Sequence, residues 1–383
     1  MDMFILKLDS YCLEYILAYL DVRDALNFAD TCSRFRDVFK LWARRKYVIS
    51  YIFADISTFE LKLLSVNAEN IQKMYIDVDD LILYLTESYN KRKTYFFKKF
   101  CMTLKEMHSL QNVTLCQENK YAYVQEILLA LNAIDSLKHL KLSAQKCKPS
   151  LLRRFQQLEN LSLNVPLSSK DLLASCQSMT YLSTLHLSDE VGSSMLKDIV
   201  LYCPLLRELS FHFKPQNNSL NCIRVGKSNI FGALADRAKY LKILSVSGII
   251  SDLYDAEQLA RISSLNILRC SFSNEDCVLA LGQLNLLEEL RIVSCCFTNI
   301  ALKYLELIRA CSKLTLLSIM DFRISSDFGS MAATVLEKFV DRQPLTLFIY
   351  GHRESTIVAN AANINMNVVK YQTMTLHETL KLL

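Results

Sequence analysis

Residues 287–319 read LEELRIVSCCFTNIALKYLELIRACSKLTLLSI, and their pattern sets the fold of most of the chain. In the opening LEELRI, Leu290 and Ile292 are two positions apart, so both point to one side of a strand. The segment NIALKYLELIRAC then sets Leu302, Leu305, Ile308 and Cys311 at helical spacing. A second strand signal, LTLLSI, closes the stretch. A single strand–helix unit cannot bury its own apolar side, so it must stack on copies of itself.

Copies are present. LxxLxL-like segments recur as LQNVTL, LKHLKL, LENLSL, LSTLHL, LRELSF, LKILSV, LNILRC, LEELRI and LTLLSI, with a degenerate PLTLFI at Pro344 to Ile349. Their middle apolar residues run from Val113 to Leu347 at a mean spacing of about 26 residues. IQKMYI, centred on Met74, adds a unit upstream. Helical stretches follow several segments. In YVQEILLALNAI the residues Val124, Ile127, Leu128, Leu131 and Ile134 form one stripe. Ser273 with Asp276 three residues on, and Asp327 before Phe328, are helix-start signals. One step, from Leu209 to Leu244, is longer than the rest and contains KPQNNSLNCIRVGKSN, read as an insertion loop or a degenerate repeat.

These residues resemble leucine-rich repeats of the cysteine-containing type. LYCPLLRELSF, Leu201 to Phe211, carries that family's Cys-Pro-x-Leu-x-x-Leu signature, and 287–319 approaches a whole repeat. The resemblance implies an α/β solenoid, a leucine-rich-repeat horseshoe of ten or eleven repeats over 49–350, with a concave parallel sheet and outer helices. Residues 351–383, which include the polar VANAANINMN, are expected to form a C-terminal cap or tail.

Residues 8–35, LDSYCLEYILAYLDVRDALNFADTCSRF, do not follow the repeat. Ser10 can cap a first helix, in which Leu13, Ile16, Leu17 and Leu20 form a stripe. Asp24 can cap a second, in which Leu26 and Ala29 lead to Cys32 and Phe35; Val38, Phe39, Leu41 and Trp42 follow. About forty residues make a small core that usually needs a partner. Periodicity alone leaves two readings open: a cap on the first repeat, or a docking module.

The order of Leu8, Leu13, Ile16, Leu17, Tyr19, Leu20, Asp24, Leu26, Ala29, Cys32, Arg34, Phe35, Leu41 and Trp42 resembles an F-box, bounded here at 4–48. Asp9 stands where that family usually has proline, and Tyr11 where it usually has an acidic residue. The resemblance implies the substrate-recognition subunit of a cullin-RING ubiquitin ligase of SCF type. Leu8, Leu13, Ile16, Leu17, Leu20 and Leu26 would bind a Skp-family adaptor, and through it a cullin. The repeats would hold a target protein, and proximity to the ubiquitin-charged enzyme would be the mechanism. The other reading is an interaction scaffold with no ligase, its N-terminal helices only a cap.

Strand alternation puts the residues flanking each inward leucine on the concave face. The candidate target-binding residues are His186, Glu208, His212, Arg269, Arg291, Met320, Phe348 and Tyr350. That face is expected to change from polar and histidine-bearing at its centre to exposed apolar and aromatic around Leu316, Met320, Phe348 and Tyr350. Residues 351–383 either leave that patch open or fold back over it.

Composition narrows the classes. An apolar fraction of 51% supports a large core, and 7 Gly and 5 Pro argue against a hairpin-rich fold. The net charge of +5, from 44 basic and 39 acidic residues, is weak for a nucleic-acid binder. In NKRKTYFFKKF, 90–100, a stacking surface for single strands competes with a solvated helix face over buried Phe96, Phe97 and Phe100. No secretory signal or membrane span is read, so the 13 cysteines are expected as reduced thiols in the cytoplasm or nucleus. They contain no CxxC pair, and the adjacent Cys295 and Cys296 do not make a zinc site alone, so neither metal nor cofactor is expected. His186 and His212 sit at repeat positions without a nucleophile beside them, and no catalytic centre is expected.

Overall fold

Each LxxLxL segment forms a strand because its three apolar positions all have somewhere to go. In LKHLKL, Leu137 enters the core from the turn, while Leu140 and Leu142 enter it from the strand. Leu265, Leu268 and Cys270 repeat this arrangement, as do Leu287, Leu290 and Ile292. The computed structural model describes residues 4–53, 57–89, 92–119, 123–190, 193–212, 230–294, 300–321, 323–324, 327–339, 342–350 and 364–367.

The chain divides into two compact units. In Met1–Leu167 the strands β1 (Ile49–Ile52), β2 (Lys73–Asp77), β3 (Asn112–Gln117), β4 (His139–Ala144) and β5 (Asn160–Asn164) pair in parallel in chain order. In Ser168–Leu383 the same holds for β6 (Thr184–Glu190), β7 (Glu208–His212), β8 (Ile243–Ile250), β9 (Ile267–Phe272), β10 (Glu289–Ser294), β11 (Leu316–Met320), β12 (Leu345–Tyr350) and β13 (Ile364–Asn367). Within each unit, helices connect the successive strands up to β12, so each unit is a strand–helix solenoid with its helices on one side of its sheet. Backbone bonds carry the stacking as well: Lys138 and His139 both donate to the Gln111 carbonyl, and Glu288 and Glu289 both donate to that of Asn266.

Two strands lie outside the LxxLxL pattern. β1 precedes the first leucine segment, and β13 lies within VANAANINMN, where it extends the sheet beside β12. The remainder of 351–383, the stretch 214–229 and the Cys295–Cys296 pair lie outside the described residues.

Helix details also differ from expectation. In the helix Ala301–Ala310, Leu302 is 65% exposed, and the inward stripe is Ala301, Tyr304, Leu305 and Ile308. A run of four leucine or isoleucine positions fits more than one helical phase, and Tyr304 has the larger apolar body to bury. Asn274, not Ser273, caps the helix Glu275–Ala280, accepting from the Asp276 amide. Asp327 precedes the helix Phe328–Leu336 but makes no side-chain cap bond. In the helix Lys93–Lys105, Phe97 and Phe100 are buried, whereas Phe96 is half-buried and stacked on Tyr89.

Candidate interaction surfaces

The first surface is built on three helices: α1 (Ser10–Ala18), α2 (Val22–Thr31) and α3 (Ser33–Lys46). Asp9, rather than Ser10, caps α1, accepting from the Cys12 amide at 2.7 Å, and Asp21, rather than Asp24, caps α2, accepting from the Asp24 amide at 2.8 Å. Both carboxylates supply an acceptor to amides that the helix leaves without one. The Cys12 amide holds the Asp9 carboxyl below its ordinary range.

Leu13 and Leu17 of α1, Leu26 and Ala29 of α2, and Phe35, Val38, Phe39 and Trp42 of α3 form the core, with Phe28 stacked on Phe35. An Arg45–Glu14 ion pair ties α3 to α1, and Arg34 donates to the Leu8 carbonyl. The core does not end with α3. Leu63 of α4 (Thr58–Asn67) belongs to the same cluster, with Phe59 and Val66 packed against it. The three helices therefore seal the first repeat.

This packing corrects the expectation for three of the six apolar docking residues. Leu13, Leu17 and Leu26 are buried within the domain, so they hold it together and are not available to a partner. Leu8, Ile16 and Leu20 are half-buried at its margin. Tyr11, Tyr15 and Tyr19 are the most exposed large side chains of α1 and its end, at 78%, 61% and 74%. They recur every fourth residue on the side of the helix opposite Leu13 and Leu17. Tyr15 and Tyr19 meet edge to face at 5.2 Å, and Tyr19 donates to the Tyr15 hydroxyl at 2.8 Å. The YCLEYILAY spacing carries this stripe in the sequence, interleaved with the leucine stripe on the opposite side of the same helix. Beside α3 lies a groove of about 740 Å³, where Arg36, Lys40 and Lys62 alternate with Asp30 and Asp37.

The second surface is the open face of the sheet in the second unit. Strand register brings four of the expected residues into one cross-strand row: His186, Ser210, Ser245, Arg269, Arg291, Ser318 and Phe348 are successive partners. Glu208 and Glu289 lie in the adjoining row, His212 pairs with Ser247, and Met320 pairs with Tyr350 in a third row. Each acid is beside a base. His186 Nε2 lies 3.1 Å from Glu208 Oε1 without meeting hydrogen-bond geometry. Glu289 Oε1 accepts from Arg291 Nε at 2.8 Å and lies 3.4 Å from Arg269 Nη2. Leu316, Met320 and Phe348 are half-buried rather than exposed, because neighbours in register cover one another. The Tyr350 side chain lies outside the described residues.

Among the described residues no cluster of His, Cys, Asp and Glu is arranged to hold a metal ion. No described helix is long and apolar enough to cross a membrane.

Residues 5–46 match the family model for the F-box domain, so the helical unit that seals the repeats is an F-box. No curated protein matches the chain at a significant level. Among solved structures, a chain from "Structure of the Toll - Spatzle complex, a molecular hub in Drosophila development and innate immunity" superposes with a TM-score of 0.45 at 11% identity. The superposition covers 84% of this chain and 43% of that one, so this chain spans less than half of its length.

Proposed function

We propose that the chain is the substrate receptor of an SCF-type cullin-RING ubiquitin ligase. The F-box docks a Skp-family adaptor, and through it a cullin, while the open face of the leucine-rich repeats holds a target protein. The receptor contributes no reacting group. It raises the effective concentration of a target lysine near the charged enzyme. The reading assigns the work to the cytoplasm or nucleus, where exposed thiols such as Cys12 stay reduced.

The observation that carries this reading is the F-box match at 5–46 on a helical unit with two distinct sides. One side joins the core of α4, and the other offers Tyr11, Tyr15 and Tyr19 to solvent. A cap needs only the first side. Exposed tyrosines with an apolar body and a polar tip suit a protein interface.

Co-expression with a Skp-family adaptor tests the reading. The unmodified chain should co-purify with the adaptor, and Tyr15→Asp with Tyr19→Asp should abolish this while circular dichroism stays unchanged. The shared core with Leu63 favours the second reading, a scaffold whose N-terminal helices are only a cap. Under that reading no adaptor co-purifies even with the unmodified chain.

A further inference from the structure

We propose that the target presents a carboxylate to Arg269 and Arg291, from an acidic side chain in an extended segment laid across β9 and β10. This rests on the reading that the open face receives a target protein, and it names the chemistry of what lands there.

Arg269 and Arg291 are direct register partners on adjacent parallel strands, so their guanidinium groups leave the sheet side by side. One carboxylate oxygen, Glu289 Oε1, serves both: Arg291 Nε at 2.8 Å and Arg269 Nη2 at 3.4 Å. Two guanidiniums against one carboxylate leave a surplus of one positive charge. Each guanidinium carries several further N–H donors. The three side chains are 27%, 37% and 19% exposed, so solvent screens them less than free surface charges. The flanking register partners are Ser245 beside Arg269 and Ser318 beside Arg291, which offer hydroxyls without adding charge.

The surplus selects the occupant. A carboxylate brings one negative charge and two acceptor oxygens, which match the free faces of paired guanidiniums. A phosphate group, close to a dianion at neutral pH, would exceed the surplus and repel Glu289 more strongly than a carboxylate does. An uncharged segment would leave the surplus unanswered.

Selection of random dodecapeptides on the full chain, in complex with its adaptor if one co-purifies, tests the proposal. Selected peptides should share an acidic residue at one position, and its change to the amide should weaken binding roughly tenfold or more. Arg269→Gln with Arg291→Gln should lose the same peptide by a similar factor while circular dichroism stays unchanged. Glu289→Gln should tighten binding, because it removes the competing carboxylate. Peptides without a common acid, or an acid whose amide binds equally well, overturn the proposal. Tighter binding of the phosphoserine versions overturns it in favour of phosphate. If acid-free peptides are selected and then lost on Phe348→Ala, this proposal fails and the target-binding reading stands. If no peptide is selected, or selected peptides survive every change on this face, both fail.

Discussion

Tyr19 donates its hydroxyl hydrogen to Tyr15 at 2.8 Å, one helical turn away on the solvent side of α1. The hydroxyl that donates is harder to ionise, and the Tyr15 bond is the first cause that raises the Tyr19 pKa, with burial second. Tyr15→Phe removes the acceptor, so Tyr19 should ionise at lower pH than in the parent. Because both rings are exposed, the melting temperature should not change. Titration of ring-labelled tyrosines by NMR reads the first effect and thermal denaturation the second, and an unmoved Tyr19 transition would contradict the bond. Leu17→Ala on the opposite side of the helix should behave differently. It removes a fully buried side chain and should cost about 2–5 kcal/mol in denaturant unfolding.

Asp9 has φ −68° and ψ 167°, and a proline ring would fix that same φ. The family's proline and this aspartate therefore start the helix by different means, the ring by restricting the backbone and the carboxylate by capping Cys12. Asp9→Pro should keep the domain folded, and Asp9→Ala, with neither device, should melt earlier than both. The carboxyl pKa is lowered on folding, so its contribution is complete above the ordinary carboxylate range and is lost as pH falls through the lowered value. Melting at about pH 6 and about pH 3 should show that acid-dependent loss in the parent and less of it in Asp9→Pro. Equal acid sensitivity in the two chains would rule out this account of the cap.

Cys12 is exposed, yet its thiol is held above its ordinary pKa, first by its hydrogen bond to Asp9 and then by partial burial and the Asp9 charge. The thiolate is the reactive form. Asp9→Asn removes the charge, so the Cys12 pKa should fall and its alkylation at fixed mildly alkaline pH should accelerate. Burial pushes Cys101 up to about 12, and Cys147 and Cys311 up to about 11, so these should react later. Peptide-resolved rates with iodoacetamide decide the point. A Cys12 rate that ignores Asp9→Asn, or a faster Cys101, would contradict it.

The strands were legible because each needs only a local period-two pattern, and every LxxLxL segment supplies one. β1 and β13 were not, since the VISYI leading into β1 and the INMN of β13 lack the leading leucine. Helix phase was less legible than helix existence. Leu302 reads as core by spacing and is exposed, because the inward angle is chosen by Tyr304 and by the preceding repeat. The same limit applied to the F-box. Its leucine stripe is plain in the sequence, but a stripe in sequence does not say whether its own domain or a partner covers it. Leu13, Leu17 and Leu26 went inward, and the surface fell to the tyrosines. On the open face, alternation named the individual residues. His186, Arg269, Arg291 and Phe348 each hold the fifth position of their LxxLxL segments, so the shared row is implicit in the repeat, and the strand register makes its pairs explicit.

Arg342 closes the helix Ala301–Ala310 from a distant part of the chain. Its Nη1 donates to the Ile308 carbonyl and its Nη2 to that of Cys311 at 2.7 Å. The last carbonyls of a helix have no partner within it, and a cation there also meets the negative end of the helix dipole. The fork of the guanidinium reaches two carbonyls at once, which a lysine ammonium does not reproduce. Burial pushes the Arg342 pKa down from its ordinary value, though an arginine so placed stays charged at neutral pH. Arg342→Met should cost about 1.5–3 kcal/mol, the scale of a hydrogen bond to a charged group, because it takes the charged donor from the Ile308 carbonyl and leaves that of Cys311 with the Leu314 amide alone. Arg342→Lys should fall between. The loss is local, so amide exchange over the last turn of Ala301–Ala310 should rise before global unfolding does. If exchange there and the denaturation midpoint both match the parent in Arg342→Met, water satisfies those carbonyls and the arginine is not what holds the helix end.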